Sequence, residues 1–96
     1  MKFSIVMGYY NRKKQLKISL DHFIKYYLNN YIFEVIIVDD ASNKENSIDE
    51  LIKKYDYPIK LLKITPEEKG DRINSCVTYN KGFKEASGDV IIIQNP

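Results

Sequence analysis

A chain of 96 residues with 44% hydrophobic, 29% charged and 12% aromatic residues has the composition of one small folded domain rather than a disordered or fibrous segment. Its 15 basic and 13 acidic residues are scattered and leave a formal charge of +2, which excludes a broad electrostatic footprint for nucleic acid or an anionic membrane. The single cysteine, Cys76, excludes an internal disulfide framework and a cysteine-built zinc site, and suits a reducing compartment, read here as the cytoplasm.

The elements follow in chain order. Residues 3–7 (FSIVM) form a short apolar run cut by Gly8, the pattern of a buried strand. The run is too short for a secretory signal, and no stretch approaches the roughly 18 apolar residues that span a bilayer. Between residues 12 and 29 the positions Leu16, Leu20, Phe23, Ile24, Tyr27 and Leu28 recur at threes and fours, predicting an amphipathic helix with Asn11 as its N-cap. Residues 33–38 (FEVIIV) are a second strand ending in Asp39 and Asp40. Ser47 with Glu50 reads as a capping box opening a short helix that carries Ile48, Leu51, Ile52 and Tyr55.

Residues 59–64 (IKLLKI) predict a third strand, 65–71 a charged loop, 74–86 a helix closed by Gly88, and 89–94 (DVIIIQ) a fourth strand. Strands alternating with helices imply right-handed crossovers and an α/β fold, a mostly parallel sheet with helices on both faces. One domain spanning residues 1–96 is expected. Open α/β sheets bind ligands beyond the carboxyl ends of their strands, so the end of the chain at Pro96 cuts it where a site would be completed.

Three loops should gather at that edge: 8–12, 39–43 and 94–96. In the first, Tyr9 and Tyr10 offer faces on which a base could stack, and Asn11 and Arg12 offer donors beside a helix N-terminus suited to phosphate. The competing reading is that one tyrosine packs against the sheet. In the second, adjacent carboxylates are costly to hold together unless they cap a turn, accept ligand donors or meet a cation. The plainer alternative has Asp40 capping the turn through Ala41, Ser42 and Asn43.

Taken together, residues 3–12 (FSIVMGYYNR), 35–42 (VIIVDDAS) and 80–93 (NKGFKEASGDVIII) resemble, in order and spacing, the pattern of family 2 glycosyltransferases. Typical members read VSIVIPTYNR, VDDGS and RNxGxxxAxGDYIxFLDxDD. The resemblance implies the Rossmann-like first half of a GT-A fold with strand order 3-2-1-4, binding a nucleotide-sugar, with a UDP-sugar the commonest donor. It places Tyr10 on the tyrosine that stacks on the base, Asp39 on the acid that contacts base or ribose, and Asp40 beside it. Asn80 and Gly82 fall on the asparagine and glycine of RNxG. Arg72 is placed to reach the base or a phosphate, with a solvated loop arginine as the alternative.

Departures accompany the match. Gly8 stands where the family has Pro, Tyr9 where it has Thr, and Tyr79 where it has Arg. The metal motif Asp-x-Asp would begin at Asn95, with its second acid at position 97, so either the ligand of a divalent cation, Mn or Mg, lies in the parent protein outside this chain or this branch binds its donor differently, and Asn95 is kept as a nucleotide contact. No residue takes the role of catalytic base, which family members draw from their second half. The acceptor is left open, and the sheet edge leaves room for a homo-oligomer.

Lesser candidates fall to simpler readings. Glu67, Glu68 and Asp71 suit a solvated loop, His22 has no second histidine to share a metal, Cys76 fits a buried thiol, and Ser87 with Gly88 suits a helix end. Two further function classes compete with this reading. A receiver-like signalling domain needs a phosphorylatable Asp at a later strand end, and none stands there; a non-catalytic nucleotide-binding module fits the same fold without turnover.

Overall fold

The computed structural model describes residues 1–26, 31–65, 67 and 76–94, without the side chains of 76–78. The described elements are β1 (Lys2–Tyr9), α1 (Lys13–Tyr26), β2 (Ile32–Asp40), a 3₁₀ turn (Lys44–Asn46), α2 (Asp49–Ile52), β3 (Ile59–Ile64), α3 (Cys76–Glu85) and β4 (Val90–Ile93). Their four strands pair in parallel in the order β3-β2-β1-β4. The expected α/β class and strand order are both present, with the order reversing between β1 and β4.

β2 sits inside the sheet and is buried from Phe33 to Asp39, which explains why its sequence is apolar on both alternating faces. On one face Ile5, Met7 and Tyr9 lie beside Phe33, Val35 and Ile37, and the core continues into Leu16, Leu20 and Phe23 of α1 and Leu51 of α2. Burying each such side chain is worth about 1.5–3 kcal/mol. The Tyr57 hydroxyl donates to the Leu20 carbonyl at 2.8 Å and the Tyr55 hydroxyl to Asp21 Oδ1 at 2.6 Å, fixing α1 to the approach of β3.

The other face carries Ser4, Val6, Glu34, Ile36 and Val38, covered by α3, which touches β1 and β2. A Cβ at Gly82 would lie 2.5 Å from Val6 Cγ1 and 3.2 Å from Val38 Cγ2. The motif glycine therefore lets the helix backbone come down onto the two valines.

Several local expectations are corrected. β1 and β2 each run two residues past their predicted ends, so Gly8 does not stop the strand. The first i to i−4 bond of α1 runs from Leu16 N–H to the Arg12 carbonyl at 2.9 Å, one residue after the expected cap. Ser47 forms no capping box: α2 starts after Ile48 with no side-chain cap, and the Ser47 hydroxyl donates to Asp49 Oδ2 at 2.9 Å. Ile24, counted in the buried stripe, is exposed, while Tyr27 and Leu28 lie outside the described residues. Edge strand β4 exposes all of Val90, Ile91, Ile92 and Ile93. Among the described residues no helix is long and apolar enough to cross a membrane.

Candidate functional site

The carboxyl ends of β1, β2 and β3 open onto one edge of the sheet, where the loops after β1 and β2 are clasped together. Asn11 adopts a left-handed conformation, φ 50°, which asparagine tolerates better than most residues. Its backbone N–H then donates to Ser42 Oγ at 2.9 Å, and its side-chain Oδ1 accepts the Asn43 N–H at 2.9 Å. The backbone N–H and Oδ1 of Asn11 thus hold the two loops together rather than cap α1.

Tyr9 continues the alternation of Ile5 and Met7 into the core and is 1% exposed. Its hydroxyl donates to the Asn46 carbonyl at 2.6 Å. Burial, with the Asp39 charge adding to it, pushes that hydroxyl up to about 12. The expectation that Tyr9 offers a stacking face is corrected, because the residue is buried in the core. Tyr10, the next residue, is 50% exposed.

Asp39 is 7% exposed. Its Oδ1 accepts the Ser42 N–H at 2.9 Å, closing a turn in which Ala41 takes φ 62°. The capping acid of the pair is therefore Asp39, where the plainer reading had named Asp40. Among the described residues the other oxygen of Asp39 has no hydrogen-bond partner. A buried carboxylate oxygen without a donor is costly, and such groups in native proteins ask for a water, an ion or a ligand.

Asp39 belongs to the wall of a cleft of about 480 Å³ between the ends of β2 and β3, whose lining also includes Ser42, Ser47, Asp49, Lys63 and Thr65. Lys63 Nζ donates to Asp49 Oδ2 at 2.8 Å, and Asp49 also accepts the Ser47 hydroxyl. The Lys63 and Ser47 hydrogen bonds hold the Asp49 carboxyl below its ordinary value. Ser47, Asp49 and Lys63 were not among the expected site residues. Lys63 had a signal, since it breaks the inward alternation of Ile59 and Leu61 at the strand end where Asp39 breaks that of β2.

The remaining expectations divide by position. Asp40 is half-buried at the end of β2, in register with Ile64. Asn80 is exposed on α3 and takes no part in the clasp or the cleft lining. Arg72 and Asn95 lie outside the described residues. Among the described residues no group of three His, Cys, Asp or Glu side chains is placed to hold a metal ion.

The sequence agrees with known proteins along nearly its whole length. The model of the family described as glycosyl transferase family 2 matches residues 4–95. The chain is similar to a dolichol-phosphate mannosyltransferase of Pyrococcus furiosus, 36% identical over 99% of this chain and 25% of that protein. It is also similar to a chondroitin synthase of Pasteurella multocida, 30% identical over 94% of this chain and 9% of that protein. The chain spans a quarter or less of the length of these relatives. The matched motifs are those that build β1, β2, α3 and β4, and the chain belongs to glycosyl transferase family 2.

Proposed function

We propose that this chain recognises the nucleotide of a nucleotide-diphosphate-sugar donor, for transfer of the sugar to an acceptor by the parent protein. The observation that carries the reading is Asp39: a buried carboxylate in the wall of a cleft at the carboxyl edge of a parallel sheet, with one oxygen committed to its own turn. A nucleobase N–H or a ribose hydroxyl supplies the missing donor. Tyr10, half-exposed in the loop after β1, is the proposed stacking surface.

Asp40, Arg72, Asn80 and Asn95 remain proposed contacts to the rest of the nucleotide. The chemical step is attack of an acceptor oxygen on the anomeric carbon with loss of the nucleoside diphosphate. Activation of that oxygen needs a base, and none is assigned within these 96 residues. The two named relatives differ in what they make, so the acceptor stays open. Association of copies through the apolar edge of β4 is a separate proposal.

The test is equilibrium titration of UDP into the native chain and Asp39→Asn. The substituted amide keeps an acceptor for the Ser42 N–H but presents N–H groups to the ligand. Loss of a hydrogen bond to a charged group should weaken binding by about 1.5–3 kcal/mol, with the circular dichroism spectrum unchanged. Equal affinity in the two proteins would remove Asp39 from the site.

A further inference from the structure

The small net charge of the chain conceals an uneven spread. Residues 12–26 hold five basic side chains, Arg12, Lys13, Lys14, Lys17 and Lys25, against one acid, Asp21, so this segment is +4. The remainder, with 10 basic and 12 acidic residues, is −2. The basic excess of the molecule therefore lies on the segment that forms α1, which corrects the reading of the charges as scattered. Lys14, Ile18, Asp21 and Lys25, spaced by threes and fours, make one stripe along the helix, opposite the Leu16, Leu20 and Phe23 side chains that it buries. The whole stripe is exposed, as are Lys13 and Lys17 beside it.

The one acid of the stripe is already answered, because Asp21 takes the Lys17 ammonium at 2.8 Å and the Tyr55 hydroxyl at 2.6 Å. Lys13 and Lys14 have no such answer. Among the described residues neither makes an ion pair, and both stand in a first turn that holds no acid, where the helix dipole opposes a cation. Two cations held against the dipole with no gain inside the chain break a local rule in the way that functional surfaces do. On the same helix Ile18 is 58%, Ile24 42% and Tyr26 52% exposed. Lysines set among exposed aliphatic and aromatic groups suit a surface of anionic lipid, with the ammonium groups at the headgroup phosphates and the stems and Ile18 at the acyl boundary. A nucleic acid would rather be met by the forked donors of arginine, of which this segment has one.

We infer that the outer face of α1 is a docking surface for a membrane of anionic lipids, held by Lys13, Lys14 and Lys25 with Ile18 at its centre. This face shares no residue with the cleft between β2 and β3, so docking there does not depend on nucleotide recognition.

The experiment is co-sedimentation of the native chain with vesicles of pure phosphatidylcholine and with vesicles of equal parts phosphatidylcholine and phosphatidylglycerol. The chain should sediment with the anionic vesicles, stay in solution with the zwitterionic ones, and be released at about 1 M salt. Lys14→Gln and Lys25→Gln should each weaken the anionic binding about fivefold, and Ile18→Ser should weaken it several-fold by removing the apolar contact. Lys84→Gln takes an equal charge from an exposed position of α3, on the opposite face of the sheet, and should leave binding unchanged. No preference for the anionic vesicles would overturn the inference. So would a loss in Lys84→Gln as large as that in Lys14→Gln, which would assign the binding to bulk charge. Full binding by Ile18→Ser, or displacement of the chain from the vesicles by a DNA oligonucleotide at equal phosphate concentration, would overturn lipid as the partner in favour of another polyanion.

Discussion

The carboxylate of Glu34 accepts the backbone N–H of Ser87 at 2.7 Å, joining the turn after α3 to the amino end of β2. The same oxygen accepts the Ser4 and Ser87 hydroxyls, and Ser4 Oγ accepts the Gly88 N–H at 2.7 Å. This network lies at the end of the sheet opposite the cleft and is how a 5% exposed glutamate is tolerated. Glu34→Ala strands the Ser4 hydroxyl and the Ser87 N–H and should cost about 1.5–3 kcal/mol. Urea unfolding measures it, and a cost below about 0.5 kcal/mol, the level of an ordinary surface substitution, would show the network to be dispensable.

The same group sets the acid side of stability. Burial raises the Glu34 carboxyl, but the hydrogen bonds of Ser4 and Ser87 and the Lys2 charge outweigh it, so the folded value lies below the ordinary 4.5. A carboxyl depressed on folding contributes fully above its unfolded value and loses that contribution as pH falls through the folded one. Tyr9 has the opposite sign: raised from 10.0 to about 12, it contributes below 10.0 and loses the contribution as pH rises towards 12. Unfolding midpoints should therefore fall below about pH 4.5 and again above about pH 10. Glu34→Gln should flatten the acid limb. An acid limb of unchanged slope in that variant would assign the loss to other carboxyls.

Ala41 holds φ 62° in the turn closed by Asp39. A left-handed L-residue costs roughly 1–2 kcal/mol, of which the greater unfolded freedom of glycine returns about 0.5–1. Ala41→Gly should thus stabilise the chain by about 0.5–1 kcal/mol, read as a higher urea midpoint. A lower midpoint would contradict the strain.

Gly82 is fixed by contact rather than by conformation. Its added Cβ would stand 2.5 Å from Val6 Cγ1, and Val6 is wholly buried, so Gly82→Ala should cost about 1–3 kcal/mol despite alanine being the better helix former. Combining it with Val6→Ala, which removes the clashing methyl, should cost less than the sum of the two single changes. Strict additivity would place the penalty elsewhere.

The fold was legible where hydrophobic pattern alone decides it. FEVIIV reads as a strand buried on both faces because β2 has a neighbour on each side and a helix layer above and below. The strand order came from the motif resemblance, since periodicity does not say which strands touch. Asp39 was visible as an acid at a strand end. Tyr9 and Tyr10 were separated only by the register, in which Tyr9 follows Ile5 and Met7 inward past a glycine that read as a stop. The Asn11 clasp and the Lys63–Asp49 pair were hidden for one reason: each joins segments well separated in the chain, and local rules offered a nearer partner, a helix end for Asn11 and a capping box for Ser47.

The measurement that bears most directly on the proposed role is an amide chemical-shift titration of the ¹⁵N-labelled chain with UDP. Saturable shifts should concentrate at Asp39, Ala41, Ser42 and Lys63, around the cleft between β2 and β3, and at Tyr10 in the loop after β1. Shifts gathered instead at Lys13, Lys14 and Lys17, beside the separate cleft at the start of α1, or no shifts at millimolar UDP, would contradict nucleotide recognition by Asp39.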